Sequence, residues 1–386
     1  MSIQRIRLAP ILITVVAAVL LQPENIRASD SALSVGAVAV HPTDPLTIYA
    51  GTTAGLYKTT DGGKQWTLNA PELQGVHTLL IDPTTPSTLV AAVGPRGIFR
   101  SIDGGSTWTS IGVSYWWAPS LAMDPHTGAL YATVQEFGML KWDSNQEQWI
   151  GIFGVQWLPG DYAWTYCVAV QTPAIYVGVF YGTWDVAATA VYASFDGGMS
   201  WNSTELNTYP PTDPVPVDAI ALDPGNPRTA YVSVGADGLF KSADGGSTWS
   251  RSNSLGSGLR NIVIDANRPN TVYAVYTSGV AKSDDGGSSW TSAHASLTET
   301  LLALGASPAV TGFAIDPQTP DTLYAGTAIG VFKTTDGGSR WAPTGLVQHA
   351  TLATLSIASS SVISGDVAMA TVTLAATHER CLDRVE

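Results

Sequence analysis

Cysteine and basic residues are scarce in this chain of 386 residues. The two cysteines, Cys167 and Cys381, lie far apart in differently built regions, so the sequence does not indicate a disulfide framework. Lys and Arg number 18 against 31 Asp and Glu, which gives a formal net charge of −13 at pH 7. A protein this acidic is not expected to bind nucleic acid or anionic lipid through its general electrostatic field.

Long apolar runs are also rare. The one long run, residues 8–21, follows Arg5 and Arg7 and precedes a polar stretch that ends at Ala28. This order is typical of a secretory signal peptide, here residues 1–28. At about 1.5 Å per residue the run is too short to cross a hydrocarbon core of roughly 30 Å comfortably, so a transmembrane anchor is the weaker alternative. We therefore expect a secreted, periplasmic or cell-surface protein with no membrane span after signal cleavage.

Several motifs that carry known chemistry are missing. The sequence has no Cys-x-x-Cys pair, no zinc-protease motif, no phosphate-binding glycine loop and no Gly-x-Ser-x-Gly nucleophile turn. We accordingly predict neither a metal site nor a cofactor.

The sequence repeats one octapeptide, Ser/Thr-x-Asp-Gly-Gly-x-x-Trp, many times. Six copies occur, at residues 59–66, 101–108, 194–201, 242–249, 283–290 and 334–341. A seventh, degenerate copy spans residues 141–149, where Asp143 keeps the acid, both glycines are lost and the tryptophan is interpreted as shifted by one residue. An apolar strand and an Asp-Pro-type turn precede each copy, at intervals of roughly 40–50 residues, which is the period of a β-propeller blade.

The octapeptide is explained best as a structural turn between the third and fourth strands of each blade. Paired glycines supply positive φ, the Asp carboxylate accepts backbone N–H groups, and the Trp packs between blades. The acids therefore predicted to be structural are Asp61, Asp103, Asp196, Asp244, Asp285 and Asp336. The fold prediction is all-β: a seven-bladed propeller of four-stranded antiparallel blades over residues 33–345, closed without strand exchange, and a short β-rich tail over residues 346–386.

These six octapeptides resemble those of the Asp-box, or BNR, repeat proteins, whose propellers occur in sialidases, xyloglucanase-type glycoside hydrolases, sortilin-like receptors and a photosystem II assembly factor family. The resemblance covers about residues 35–345 and implies the propeller fold. It does not specify function, because that scaffold hosts unrelated activities. The tail resembles the opening strands of an Ig-like module and is interpreted as a truncated or degenerate domain.

Aromatic residues beyond those of the repeat lie in or beside the long connections of the third and fourth blades. Connections longer than the scaffold requires are expected at residues 110–120, 151–164, 180–190, 202–216 and 292–308. The predicted ligand-binding residues are Tyr115, Trp116, Trp117, Trp157, Tyr162, Trp164, Tyr181 and Trp184. Such rings can stack on sugar rings or anchor a protein partner; the alternative is a small core beneath the loops.

Glu136, Asp161 and Asp185 lie in the same region and are weak catalytic candidates, since glycoside hydrolysis needs two carboxylates. The alternative is that each is an ordinary solvated or turn-capping acid. A sialidase resemblance would imply an arginine triad and an Arg-Ile-Pro motif, but the motif is absent and only Arg96, Arg251 and Arg260 remain outside the scaffold positions. A xyloglucanase resemblance would imply two propellers with a catalytic Asp pair between them, whereas one propeller is present here.

The first functional hypothesis is therefore an exported, monomeric recognition module that binds carbohydrate or a protein partner through the aromatic-rich loops of blades 3 to 5. The alternative hypothesis is a glycoside hydrolase with carboxylates on that same face.

Overall fold

The computed structural model describes residues 33–386 except 113–119, 135–136, 155–157, 159–161, 184, 186, 210–214, 253–254, 256–257, 348–350, 358–371 and 378–386. The predicted signal peptide, residues 1–28, lies outside the described residues.

The described chain forms seven four-stranded antiparallel sheets, each built from four consecutive strands. Blade 1 consists of β1 (Val35–Val40), β2 (Ile48–Thr52), β3 (Gly55–Thr59) and β4 (Thr67–Ala70). Blade 2 consists of β5 (Val76–Ile81), β6 (Leu89–Val93), β7 (Gly97–Ser101) and β8 (Thr109–Ser110). Blade 3 consists of β9 (Leu121–Met123), β10 (Leu130–Val134), β11 (Gly138–Asp143) and β12 (Gln148–Phe153). Blade 4 consists of β13 (Tyr162–Gln171), β14 (Ala174–Gly182), β15 (Ala187–Ser194) and β16 (Asn202–Tyr209).

The three remaining blades have the same order. Blade 5 consists of β17 (Val217–Asp223), β18 (Asn226–Val234), β19 (Gly238–Ser242) and β20 (Ser250–Arg251). Blade 6 consists of β21 (Leu259–Ile264), β22 (Val272–Tyr276), β23 (Gly279–Ser283) and β24 (Thr291–Ser292). Blade 7 consists of β25 (Val310–Ile315), β26 (Leu323–Thr327), β27 (Gly330–Thr334) and β28 (Ala342–Val347). The predicted seven-bladed propeller of four-stranded antiparallel blades is confirmed.

The ring closes between blade 7 and blade 1 through side chains, without an exchanged strand. Thr311 Oγ1 donates to the Val35 carbonyl, and Lys333 Nζ lies 3.3 Å from the Gly62 carbonyl oxygen. Trp66 of blade 1 packs against a buried cluster that includes Tyr324 of blade 7. The last strand extends two residues past the predicted end at Gly345, to Val347.

Apolar layers between neighbouring blades form the core. In most blades the second strand is the most buried because neighbouring blades cover both of its faces; every residue of β2 and β6 is buried. The fourth strand lies at the outer edge, and both residues of β8 are exposed. Cys167 is buried in the layer between blades 4 and 5. The strand sequences are rich in β-branched and aromatic residues, which suits this half-buried pleated packing.

The octapeptide in blade 5 shows why that sequence forms its turn. Gly245 and Gly246 have φ values of 82° and 81°, a left-handed conformation that favours glycine. Asp244 Oδ1 accepts hydrogen bonds from Ser242 Oγ at 2.8 Å and from the Thr248 N–H at 2.9 Å. Trp249 Nε1 donates to the Gly246 carbonyl at 3.1 Å, which fixes the indole against blade 4. These contacts support the predicted structural role of the octapeptide acids.

The degenerate copy in blade 3 differs from its sequence interpretation. Lys141 pairs with Ile150, just as Lys58 pairs with Thr67 in blade 1, so Trp149 keeps the position of the octapeptide tryptophan. The acid has shifted instead: Asp143 ends β11 and pairs with Gln148 across a short turn. Without glycines at positive φ, this hairpin forms a different turn in place of the octapeptide.

Several of the connections expected to be long contain regular structure. Residues 202–209 form β16, and residues 151–153 and 162–164 belong to β12 and β13, so these two connections are shorter than expected. Residues 180–182 and 187–190 continue the strands of blade 4, so only residues 183–186 connect them. The connection at residues 292–308 contains α1 (Ala295–Ala303), although the sequence shows no sustained helical periodicity. This helix is short, and its buried residues Leu297 and Leu301 form only one apolar pair at helical spacing, which explains why the pattern was not recognised.

The tail contributes a separate two-stranded antiparallel sheet, formed by β29 (Thr351–Ile357) and β30 (Val372–Thr377). Within the part of the chain that the structure describes, no helix is long and apolar enough to cross a membrane.

Candidate functional site

The two faces of the propeller differ in how their loops are held by hydrogen bonds. On one face, which we call the turn face, the first octapeptide glycine donates its N–H to the turn between strands one and two of the same blade. Gly104 N donates to Ser87 O, and Gly286 N donates to Asn270 O, both at 2.8 Å. The opposite face, which we call the loop face, carries the connections between strands two and three and between blades. The loop face is therefore freer to carry a binding site.

A central tunnel of about 510 Å³ is lined by the innermost strands. In six of these strands the pairing with the second strand shifts by one residue, as in a β-bulge. The shift directly follows the first residue in five strands and lies at residues 165–167 in the longer β13. The residues at this shift form a ring that lines the loop-face mouth of the tunnel: Gly36, His77, Tyr166, Asp218, Arg260 and Thr311. Bulges re-aim side chains and are common beside active sites. We call this set the mouth ring.

Three adjacent blades supply the ring residues with the most recognition chemistry. Tyr166 of blade 4 offers a half-buried aromatic ring, Asp218 of blade 5 a carboxylate, and Arg260 of blade 6 an exposed guanidinium. Asp218 Oδ2 accepts the Gly235 N–H at 3.0 Å, and the Arg260 side chain donates to Thr277 Oγ1. Each charged group is therefore oriented at the mouth by the connection between strands two and three of its own blade.

The surroundings shift the protonation of two ring members. Burial raises the pKa of Asp218, and the Gly235 N–H and Arg260 only partly oppose this shift. Burial lowers the pKa of His77, which favours the neutral imidazole. The His77 Nδ1 lies 3.1 Å from Thr78 Oγ1, while its buried Nε2 has no partner among the described residues.

Blade 4 extends beyond its neighbours on the loop face. Its strands are 10, 9, 8 and 8 residues long, whereas the strands of blade 1 have 4 to 6 residues. Trp164 and Phe180 pair across the first two strands and stack with ring centroids 5.8 Å apart and planes 5° apart. Phe180 lies on the same side of β14 as Tyr176, whose hydroxyl donates to Pro227 O of blade 5. The stacked pair thus lies on the side of blade 4 that faces blade 5.

Most of the sequence-predicted site residues lie outside the described residues: Tyr115, Trp116, Trp117, Glu136, Trp157, Asp161 and Trp184. Tyr162 begins β13, and its side chain also lies outside them. Trp164 is half-buried, whereas Tyr181 is only 7% exposed and donates its hydroxyl to Glu205 Oε1 at 2.6 Å. Tyr181 therefore packs in the layer between blades 3 and 4 instead of presenting its ring. Asp185 is exposed on the loop face.

Comparisons with known proteins identify the fold and go no further. No protein-family model matches the chain, and no curated protein sequence matches it. Among solved structures it is similar to the GH74 xyloglucanase of Xanthomonas campestris, with a TM-score of 0.59 and 21% identity over 80% of this chain and 54% of that chain. It is also similar to the extracellular domain of a protein described as a hybrid two-component system of B. thetaiotaomicron, with a TM-score of 0.58 and 13% identity over 86% and 40% of the two chains.

A third similar structure, U3-55K, has a TM-score of 0.52 and 13% identity over 78% of this chain and 90% of that one. The chain spans only about half the length of the xyloglucanase. The similarity is that of β-propellers.

Sequence reasoning missed the mouth ring. Its members share only a position, directly after the first buried residue of an innermost strand, as in Val76-His77, Val217-Asp218 and Leu259-Arg260. That position could have been found by aligning the seven repeats on their first strands. Among the described residues, no three His, Cys, Asp or Glu side chains come together as metal ligands would.

Proposed function

We propose that this protein is an exported, non-catalytic propeller that binds carbohydrate at the loop-face mouth of its tunnel. The observation that carries the proposal is the placement of Tyr166, Asp218 and Arg260 in adjacent positions of the mouth ring. A sugar ring has apolar faces that pack on aromatic rings, and its neighbouring hydroxyls suit planar carboxylate and guanidinium groups. The projecting strands of blade 4 form one wall beside this mouth.

The described lining of the tunnel offers recognition groups on three adjacent blades and a single carboxylate, which suits binding. Most glycoside hydrolases use a pair of carboxylates that flank the scissile bond. Among the described residues that line the tunnel, Asp218 is the one carboxylate. A xyloglucanase-like activity therefore stays the alternative, with Asp218 as one of its acids.

Two further parts of the proposal concern the repeat family in which the chain is placed and its export. The octapeptide geometry supports placing the chain among the Asp-box repeat propellers, because Asp, the glycine pair and Trp each perform a role that the repeat requires. Residues 1–28 are proposed to direct export. Mass spectrometry of the protein secreted by its host would show a mature chain that begins near Ser29 if this is correct.

The binding site is tested with a glycan array followed by calorimetry on the best glycan. Asp218→Asn and Arg260→Met are each expected to weaken binding by about tenfold or more, since each removes a charge-assisted hydrogen bond. Arg251→Met is the matched control, because Arg251 is exposed on the outer strand of blade 5, away from the tunnel. Equal affinity in all variants would refute this site. Release of reducing sugar that stops in Asp218→Asn would favour the hydrolase instead.

A further inference from the structure

A Tyr–Lys pair recurs on the turn face. In blades 1 and 5 both of its side chains bond to the octapeptide of the next blade, whereas in blade 7 only the lysine does. In five blades a tyrosine of the second strand pairs with a lysine of the third: Tyr49–Lys58, Tyr131–Lys141, Tyr231–Lys241, Tyr273–Lys282 and Tyr324–Lys333. In blade 5, Tyr231 Oη and Lys241 Nζ both donate to the carbonyl of Gly286 in the octapeptide of blade 6, at 2.9 and 2.6 Å. We call this arrangement the Tyr–Lys clamp.

Between blades 2 and 3 both parts of the clamp are missing: the Tyr–Lys pair on blade 2 and the octapeptide carbonyl on blade 3. Val90 and Arg100 form the cross-strand pair of blade 2 where blade 1 has Tyr49 and Lys58. Blade 3 carries the degenerate copy, so no octapeptide glycine carbonyl is available to accept. A groove of about 520 Å³ lies at this junction, lined by both turns and by the ends of strands from each blade. We call it the blade 2–3 groove.

The groove presents polar groups without partners among the described residues. The Arg100 guanidinium makes no hydrogen bond or ion pair there, and the buried indole N–H of Trp142 has no acceptor. Asp82 Oδ1 accepts from Thr84 and Thr85, which leaves its Oδ2 free. The buried Trp142 N–H is costly to leave unpaired, whereas the half-buried Arg100 and Asp82 side chains are open to solvent and available to a ligand.

We propose that the blade 2–3 groove binds a neutral mono- or disaccharide. The lining carries two basic residues, Arg100 and Lys141, and two acidic residues, Asp82 and Asp143, so it has no net charge with which to select an ion. Sugar hydroxyls both donate and accept, which matches a lining with free donors and a free acceptor. The Trp142 indole adds an aromatic surface, and the volume lies within the range of small-molecule sites.

This site is separate from the tunnel mouth. It is built from the turns between strands one and two and from the hairpin at Asp143, so it opens on the turn face. We regard the blade 2–3 groove as a site because the Tyr–Lys pair of blade 2 and the octapeptide of blade 3 are both missing at this junction. Loss of the octapeptide alone would leave the Tyr and Lys of blade 2 in place, whereas here Val90 leaves room and Arg100 offers a multidentate donor.

The test uses calorimetry with cellobiose, lactose and maltose as neutral probes and glucuronate as an anionic probe. The background variant is Asp218→Asn with Arg260→Met, so that the tunnel mouth does not contribute. At least one neutral disaccharide is expected to bind this background. Arg100→Ala should weaken that binding by about tenfold or more, and Val90→Tyr should do the same by returning a ring to the groove.

Lys58→Ala is the matched control, since Lys58 holds the position of Arg100 in blade 1 and contacts an intact octapeptide. It should lower the melting temperature while changing the disaccharide affinity less than twofold. The proposal is overturned if no neutral disaccharide binds, if only glucuronate binds, or if binding is the same in Arg100→Ala and Val90→Tyr as in the background.

Discussion

The side chains of the octapeptide stabilise their own turn. Asp103 shows how: its Oδ1 accepts from Ser101 Oγ and from the Thr107 N–H, and its Oδ2 accepts from Thr107 Oγ1 at 2.6 Å. An acid with this many local donors is occupied by the turn, and little of its bonding capacity remains for a ligand. The conspicuous acids of the sequence are thus poor candidates for chemistry, and the mouth ring is a better one.

Replacing Trp249 by Ala tests the anchoring role of the octapeptide indole. The variant loses the Nε1 bond to Gly246 O and the packing of the ring against the layer between blades 4 and 5. We expect the free energy of unfolding to fall by about 3 kcal/mol, measured by urea denaturation. Asp185→Ala, at an exposed acid, is the control and should have no measurable effect. Unchanged stability in Trp249→Ala would show that the indole is not an anchor.

At the scale of elements, the repeat predicts most strands but not their lengths. The third strand of blade 7 begins at Gly330 and ends at Thr334, the first residue of the octapeptide, so the repeat itself sets both of its ends. Blade 4 has no such limits on the loop face, so the apolar run of β14 continues to Gly182, further than the repeat requires. The mouth ring escapes prediction for a different reason: its members are distant in sequence and meet only when the propeller closes.

Acid titration tests the octapeptide turns as a set. The pKa of four octapeptide acids is lowered to about 2: Asp103, Asp196, Asp244 and Asp285. The largest cause is in each case a hydrogen bond from a side chain four residues further on: Thr107, Ser200, Thr248 and Ser289, respectively. Because these folded-state pKa values lie below the unfolded value of about 3.9, their stabilisation is complete above that pH and is lost as the pH falls towards 2. The melting temperature should therefore drop between about pH 4 and pH 2.

Asp244→Asn supplies the comparison for this titration. The variant should begin with a lower melting temperature at pH 5 and lose less of it on acidification, since one of the titrating carboxylates is gone. A melting temperature that is constant from pH 4 to pH 2 in the parent protein would contradict this account of the turns.

At the scale of the whole molecule, closure of the ring depends on many small contacts between blades. The layer between blades 7 and 1 contains buried Val35, Ile48, Tyr324, Val331 and Leu346. This layer resembles the layers between the other pairs of neighbouring blades, so closing the ring needs no strand exchanged between blades 7 and 1. Burial of side chains of this size contributes roughly 1.5–3 kcal/mol each, which is enough to offset the entropy of closing the ring.

Deletion of residues 348–386 tests whether the tail takes part in that closure. Blade 7 draws its fourth strand, Ala342–Val347, from before the deleted segment, and the tail strands pair only with each other among the described strands. The truncated protein is therefore expected to unfold in one cooperative transition, with a melting temperature within about 2 °C of the parent. A second truncation after Trp341 removes the outer strand of blade 7 and should destabilise the ring strongly. If both truncations destabilise equally, the tail contributes to the propeller and the ring does not close through blades 1 and 7 alone.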